Sequence, residues 1–394
     1  MTNPAICMVA YTTYETDARV IRQAEAAAKN GYRVDFITPR KRTDGPRDTI
    51  NGIHLHRIAP RPYKGAHPAV YLISYAVFFV NCLFWITRLH IQRRYKVIHI
   101  NNMPDILVFS ATIAKALGAK IILDIHDPMP ETYMAKFSGA SRGALFRMLL
   151  AQEKMSAAFS HRVLTVNEPV KTDILVKDGI PRDKITVIAN FPDEDIFHVV
   201  DPLVIEGQIR VIYYGSISDR FGLLDVLEAI SRARNKERML LRIIGEGDLS
   251  GRLQRKILDL GLEKIVDFDD RSYPLIQLPG IIRQHHLGLV PYKQSPATRY
   301  MLPVKLLELM AMGIPAITVA NVPIQYYFDA GTYFVYDNSR IESLTALVER
   351  ILDRPSVIME KRQAILRNRE KYLWRNESQK YVEVVRALSE GGCR

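Results

Sequence analysis

The chain has 394 residues, 48% hydrophobic and 24% charged, with a formal net charge of +12. That balance excludes a disordered or fibrous protein and suits two folded domains better than one. The excess of positive charge points to anionic partners such as phosphorylated substrates or anionic lipid.

In chain order, the opening MTNPAICMVAYTTYE has no basic n-region and no cleavage site, so no signal peptide is expected. Asn376 in NES is then no argument for glycosylation. The apolar run Ala5–Tyr11 predicts a buried strand. A helix follows, capped by Thr16 or Asp17 and ended by Gly31, and then a strand at 33–39. This strand–helix–strand unit marks a parallel sheet. Further strands are predicted over Gly52–Pro60, Tyr95–Asn102, Ala119–Asp127 and His161–Glu168, with a last strand and turn near Ile185–Asn190. Alternating strands and helices over residues 1–200 predict a doubly wound α/β domain.

Within it, Ala69–Lys96 is the most apolar stretch of the chain. Val70–Ile86 approaches the length of a membrane span. However, Ser74 and Asn81 interrupt it, and a span there would cut the α/β domain in two. The expectation is a long helix, partly buried, with an exposed apolar edge. Residues 1–100 hold 15 Lys or Arg against 6 Asp or Glu. Arg40, Lys41, Arg42, Arg57, Arg61 and Lys64 precede the helix, and Arg88, Arg93, Arg94 and Lys96 follow it. Basic plus apolar surface reads as contact with an anionic membrane surface. The alternative is a core helix with a solvated basic end.

The strand–helix pattern restarts after residues 194–207. Gln208–Ser218 is a strand running into a loop, MLLRIIGEGDL a strand and turn, IVDFDDRS and His286–Lys293 further strands, and PAITVA another. Residues 201–370 thus predict a second domain of the same class. Residues 371–394 predict a closing helix. Two such domains suggest a cleft, with ligands at the carboxyl ends of the strands.

Several residues stand out at those ends. PVKLLELMAMGIP (Pro303–Pro315) reads as a helix begun by a proline and left through Gly313. Lys305 and Glu308 lie three apart, on one face near its N-terminus. They read either as a surface ion pair or as groups for a diphosphate and a ribose diol, because a helix N-terminus favours an anion. Gly215 either makes a turn or lets backbone approach phosphate. Gly245 and Gly247 in GEG lack the dinucleotide fingerprint. His126 follows a buried strand and reads as structural or functional. Asp127 and Glu131 read as acceptor-side groups or as caps for the next helix. Asp17 and Arg19 read as acceptor-side groups or as an ordinary helix start. Cys7, Cys82 and Cys393 form neither a disulfide framework nor a metal motif and suit a reducing compartment. No basic run is interleaved with stacking aromatics, so no nucleic-acid partner is expected. No carboxylate pair resembles that of an ordinary glycosidase.

The ordered set VIYYGSISDRFG (Val211–Gly222), RIIGEGDL (Arg242–Leu249), LGLVPYK (Leu287–Lys293) and LPVKLLELMAMGIPAI (Leu302–Ile317) resembles the C-terminal domain of GT-B glycosyltransferases, closest to the retaining glycosyltransferase family 4. In the first half, ARVIRQAEAAAKNGYRVDFIT, VIHINNMPD, ILDIHDPMPE and VIANFPDEDIF resemble that family's N-terminal domain. The resemblance implies a GT-B fold, two Rossmann-like domains facing across a cleft. It implies sugar transfer from a nucleotide-sugar with retained anomeric configuration, no metal, and the nucleotide-sugar as co-substrate rather than a bound cofactor. Arg220 and Lys305 match the family's phosphate-binding cations, and Glu308 matches its ribose-binding glutamate. Pro303 opens the same Pro-x-Lys-x-x-Glu motif, and Gly215 and Ser216 lie on the loop before Arg220. His126 matches a histidine near the donor sugar. Arg271, in FDDRS (Phe268–Ser272), sits where the family packs the nucleotide base.

There are departures. A glutamate common eight positions before Glu308 is Tyr300 here, and the loop Gln294–Thr298 is expected to supply hydroxyl and backbone groups in its place. A Gly-Gly pair common after the first strand is absent from Tyr11–Arg19. The family's final helix crosses back to the N-terminal domain.

The expectation is a cytoplasmic or inner-face peripheral transferase acting on a glycan or lipid-linked acceptor in surface polysaccharide synthesis. The competing expectations are a nucleotide-sugar epimerase of the same fold and a catalytically silent glycan-assembly subunit.

Overall fold

A computed structural model describes residues 3–40, 45, 47–60, 68–136, 143–296 and 298–391. Lys41, Arg42, Arg61, Lys64 and Cys393 lie outside the described residues. The chain forms two compact units, Met1–Asn190 with Glu377–Arg394, and Phe191–Asn376.

The first unit is built on eight strands: β1 (Ala5–Val9), β2 (Arg33–Arg40), β3 (Arg47–Ile50), β4 (Ile53–Pro60), β5 (Val97–Asn101), β6 (Lys120–Ile125), β7 (Arg162–Thr165) and β8 (Ile185–Val187). Their order is β3-β4-β2-β1-β5-β6-β7-β8. All pairs are parallel except β3 with β4. Every residue of β1 and β5 is buried, as expected of central strands covered on both faces. The strand β3 was not foreseen. It pairs with β4 through Asn51 and Gly52, at φ 50° and 79°, the backbone an Asn-Gly hairpin turn requires.

The helix Ala18–Lys29 joins β1 to β2, and Asp17 caps it by accepting from the Arg19 N–H. The connections from β4 to β5, β5 to β6 and β6 to β7 run the opposite way along the sheet. Right-handed crossovers therefore place them on the other face. Here lies the expected long helix, Pro68–Arg93. Phe78, Cys82, Ile86 and Leu89 bury one side of it in the core.

The second unit carries β9 (Ile209–Tyr214), β10 (Met239–Ile244), β11 (Val266–Asp269), β12 (Leu287–Val290), β13 (Ala316–Thr318) and β14 (Phe334–Val335). Their order is β11-β10-β9-β12-β13-β14, all parallel. The division between units falls after Asn190, earlier than the 200 read from sequence. Packing explains the difference: the Phe191 ring meets Tyr327 and Tyr372, and the Val200 N–H donates to Met312 O. The helix Trp374–Glu390 belongs to the first unit from Glu377 onward.

In each sheet the order reverses beside one strand, β1 or β9. Such reversals open crevices beyond the carboxyl ends of the strands, where ligands bind in open α/β sheets. The residues singled out by sequence lie mostly in the loops after β1, β5, β6, β9 and β12.

Candidate active site

In the second unit, β9 ends in two tyrosines and a glycine. Gly215 has φ 115°, and a Cβ there would stand 2.5 Å from both Cε and Nζ of Lys305. Only glycine lets the lysine lie across this loop. Gly245 and Gly247 have a different job. A Cβ at either would strike the backbone of Gly215 or Ile217, so they let two loops pack main chain to main chain. The Gly215 N–H donates to Ile244 O and the Ile217 N–H to Glu246 O. The Ser216 N–H, between them, meets no acceptor among the described residues, and Ser216 itself is exposed.

Lys305 is the second residue of the helix Val304–Ala311, whose N-cap is the buried Pro303. Its ammonium donates 3.1 Å to the Tyr213 hydroxyl. It lies 4.2 Å from the centre of the Tyr213 ring and 4.5 Å from that of Phe221. Burial lowers its pKa to about 7, against a raising effect of Glu308 and with a further lowering by Arg220. Arg220 is exposed, with its guanidinium 4.8 Å from the same Phe221 ring. Two cations thus share one aromatic ring beside the unpaired N–H groups of a helix start. Such an arrangement is under-compensated until an anion arrives.

Glu308, one turn along, is buried and accepts 2.8 Å from the Tyr214 hydroxyl. Burial raises the pKa of that tyrosine well above its usual value, and the Glu308 charge adds to the rise. Tyr214 also donates to Lys305 O, so one phenol ties the carboxylate to the helix start. Tyr213, Tyr214 and Phe221 were missed from sequence. Aromatics in an apolar strand read as core, and the only signal was their place just before and after the loop.

Thr298 is buried, and its hydroxyl donates 2.8 Å to Lys293 O. Asn321 holds the Thr298 and Met301 carbonyls. The hydroxyl therefore shapes the loop after β12. Arg271 stands at the end of β11, paired at 2.6 Å with Asp269 and over the Tyr273 ring. Hydrogen bonds from Arg271 and Tyr273 lower Asp269 to about 2. The structure thus brings Gly215, Ser216, Arg220, Pro303, Lys305 and Glu308 together and leaves Arg271 two strands away from β9.

The first unit holds His126 in a buried network. Its N–H donates to Asn102 Oδ1 at 2.9 Å, and Nε2 lies 3.2 Å from Asn101 Oδ1 and 3.5 Å from Asp124. Asp124 also accepts from Gln23 at 2.9 Å and faces His99 at 3.3 Å, and His99 Nδ1 meets the Tyr381 hydroxyl at 3.0 Å. Burial would raise the Asp124 carboxyl, but His126, His99 and Gln23 outweigh it and hold it below the usual range. Burial lowers His126, partly offset by Asp124. Asp17 and Arg19 form a two-point ion pair at 3.0 and 2.9 Å, which combines the helix cap with a charged group facing His126. Asp127 is exposed and its carbonyl accepts from Asn102. Glu131 lies in the first turn of the helix Met129–Lys136. Its charge helps to raise the pKa of the buried Glu153. Among the described residues, no group of three or more His, Cys, Asp or Glu is placed to hold a metal ion.

Comparison with known proteins agrees with this layout. Residues 16–190 match the glycosyl transferase 4-like domain, and residues 198–372 match the glycosyl transferases group 1. Over 245 residues the chain is 26% identical to WcaI of Escherichia coli (strain K12), which carries the name of a colanic acid biosynthesis glycosyl transferase. That match covers 58% of this chain and 59% of WcaI, less than two thirds of the relative's length. Among solved structures, sucrose-phosphate synthase from Thermosynechococcus elongatus has a TM-score of 0.75 at 16% identity, covering 98% of this chain and 100% of that one. Anabaena HepE, solved with UDP and glucose, has a TM-score of 0.72 at 14% identity, with 98% and 100% covered. At these identities the structural likeness carries the fold. With both halves matched in order, the chain belongs to the glycosyltransferases of the GT-B fold, a glycosyl transferase 4-like domain followed by a group 1 domain.

Proposed function

We propose that the protein is a retaining glycosyltransferase that moves a sugar from a nucleotide-sugar to a glycan or lipid-linked acceptor, in cell-surface polysaccharide synthesis at the inner face of the membrane. The observation that carries this reading is the pair Lys305 and Arg220 on one aromatic ring, at a helix start, with Glu308 held one turn away. A diphosphate fits the two cations and the Ser216 N–H, and a ribose diol fits Glu308. The name of WcaI and the UDP bound by HepE support the substrate class.

In this reading the bond from the sugar's anomeric carbon to the phosphate oxygen breaks, and negative charge grows on the leaving diphosphate. Lys305, Arg220 and the helix N–H groups meet that charge as it develops. The acceptor oxygen bonds to the anomeric carbon from the same face, and its proton passes to the departing phosphate oxygen. No side chain is required as base. We assign His126, with its backbone and ring fixed by Asn102, Asn101 and Asp124, to the transferred sugar. Asp17, Arg19, Asp127 and Glu131 are assigned to the acceptor side.

The test is nucleoside diphosphate release from a panel of uridine, guanosine, adenosine and thymidine diphosphate sugars, with and without lipid-linked acceptor extracts. Acceptor-dependent release, a product of unchanged anomeric configuration, and a loss of roughly 10²–10³ in turnover on Lys305→Ala are expected. Turnover should also be indifferent to EDTA. Conversion of the nucleotide-sugar without acceptor would instead identify an epimerase. Undiminished nucleotide binding by Lys305→Ala, with no turnover in the wild type, would identify a silent binding subunit.

A further inference from the structure

Behind His126 the first unit carries a line of buried polar side chains that the proposed reaction uses only at its near end. One atom, Asp124 Oδ2, gathers three of them: Gln23 Nε2 at 2.9 Å, His99 Nε2 at 3.3 Å and His126 Nε2 at 3.5 Å. On its far side His99 meets Tyr381, Nδ1 to hydroxyl, at 3.0 Å. These groups come from the helix Ala18–Lys29, from β5, β6 and the loop after β6, and from the helix Trp374–Glu390. Gln23, His99, Asp124, His126 and Tyr381 are all buried, His99 and Tyr381 completely. Polar groups withdrawn from water in this way are costly unless they are paired.

The contacts dictate where the ring hydrogens sit. Asn101 donates its amide N–H to Val9 O at 3.1 Å, so its Oδ1 is the atom facing His126 Nε2 at 3.2 Å. A carbonyl oxygen only accepts, and so does the Asp124 carboxylate. His126 Nε2 therefore carries a hydrogen, while its Nδ1 has no hydrogen-bond partner among the described residues. Burial lowers the pKa of this histidine, partly offset by Asp124. Near neutral pH the ring is then uncharged and Nδ1 holds a bare lone pair. The same logic fixes His99. Its Nε2 faces the Asp124 carboxylate and calls for a hydrogen there, so Nδ1 accepts and the Tyr381 hydroxyl donates. The hydroxyl's other neighbour, the Met8 sulfur at 3.8 Å, is a weak acceptor. Without the hydroxyl, the other His99 tautomer becomes accessible and turns a lone pair on the carboxylate.

We propose that His99 and Tyr381 are positioning residues for the transfer. Tyr381 sets the His99 tautomer, and His99 shares the charge of Asp124. Asp124 and Asn101 then hold His126 so that it meets the transferred sugar as an acceptor, through Nδ1. The catalytic part of this proposal rests on the assignment of His126 to that sugar; the tautomers and the link between the two rings stand on geometry alone. The charged groups facing His126 are Asp124 from β6, Arg19 and Asp17 from the start of the helix Ala18–Lys29, and Asp127 from its own loop. Asp124 also faces His99. When His99 is lost, the Asp124 charge falls more heavily on His126 and favours its imidazolium form.

The experiment is NMR of the full chain with isotope-labelled histidine rings, assigned with His99→Gln and His126→Gln, followed by turnover against pH. Near neutral pH both rings should carry hydrogen on Nε2 and none on Nδ1. In Tyr381→Phe the His99 ring should move toward the Nδ1–H form, and His126 should protonate about one pH unit higher. Turnover should fall about two- to tenfold, the equivalent of one neutral hydrogen bond, in kcat rather than KM. Its acid limb should rise together with the His126 titration. His99→Gln can still donate to Asp124 and should keep the wild-type acid limb, whereas His99→Leu should raise it. Tyr381→Phe added to His99→Gln should change nothing further, because its effect passes through the imidazole. Circular dichroism establishes that Tyr381→Phe and His99→Leu are folded, and either one suffices for the test. Hydrogen on Nδ1 of His126 near neutral pH, or a His126 titration unmoved in the folded variants, overturns the proposal whether or not sugar is transferred. The expected titrations in a wild type that transfers no sugar would overturn the proposed reaction and the catalytic part of this proposal, and leave the link between the rings standing.

Discussion

Lys305 is the residue on which the nucleotide site turns. In the free protein burial lowers it to about 7, so near neutral pH it is partly uncharged. A bound diphosphate restores the charged form, because an adjacent anion favours an ammonium. Nucleotide affinity should therefore fall as pH rises above about 7, and binding at that pH should take up about half a proton. Titration calorimetry in buffers of different ionisation enthalpy measures both. Flat affinity from about pH 6 to about pH 9, with no proton uptake, would contradict the assignment. The Tyr213→Phe variant removes the acceptor at 3.1 Å but keeps the ring under the ammonium. It should shift that pH profile while leaving the fold unchanged. Lys305 and Glu308 were legible because they lie three apart near a helix start, within a Pro-x-Lys-x-x-Glu motif that resembles the family's. Their aromatic supports were not, because Tyr213 and Phe221 look apolar until a cation is placed on them.

At the scale of elements, the loop after β9 is held in shape by its neighbour after β10. A methyl at Gly247 would collide with Ile217 main chain, which cannot swing aside as a side chain does. Gly247→Ala should therefore destabilise the second unit by about 1–3 kcal/mol and weaken nucleotide binding. Gly215→Ala should weaken binding with a smaller loss of melting temperature, since its clash is with the flexible end of Lys305. Thermal shift with and without UDP separates the two. The GEG motif lacks the dinucleotide fingerprint. Its structural purpose, backbone contact between two loops, depends on which strands are neighbours. The hairpin at Asn51–Gly52 shows the opposite case. Its turn chemistry was present in the sequence and passed over, because β3 is short and polar.

At the scale of the whole molecule, the first unit buries carboxyl groups that act on stability in opposite directions. Glu153 is fully buried among Asp105, Glu131 and Asp178, and burial with those neighbours raises it to about 9. A carboxyl raised in this way stays protonated in the folded state where the unfolded chain has released the proton. Stability is then lost as pH rises from about 4.5 towards about 9. Glu153→Gln keeps the shape and removes the penalty. Its unfolding free energy should equal that of the wild type near pH 4 and exceed it increasingly above, by a few kcal/mol at about pH 8. Parallel unfolding curves across pH would show instead that Glu153 is ionised and compensated. Asp124 works in the opposite sense. His126, His99 and Gln23 hold it below its usual range, so its contribution is present at neutral pH and lost only in strong acid.

The sequence by itself determined the two α/β domains, the parallel central strands and the placing of Gly215, Arg220, Lys305 and Glu308 at strand and helix ends. These rest on local periodicity and on chemistry that travels with a few adjacent residues. Only the tertiary structure decided which of those ends meet. It set Lys305 over Gly215, tied Glu308 to Tyr214, left Arg271 two strands from β9, and showed Thr298 shaping its loop. Each of these depends on strand order and on contacts between residues tens to hundreds of positions apart, which no local pattern encodes.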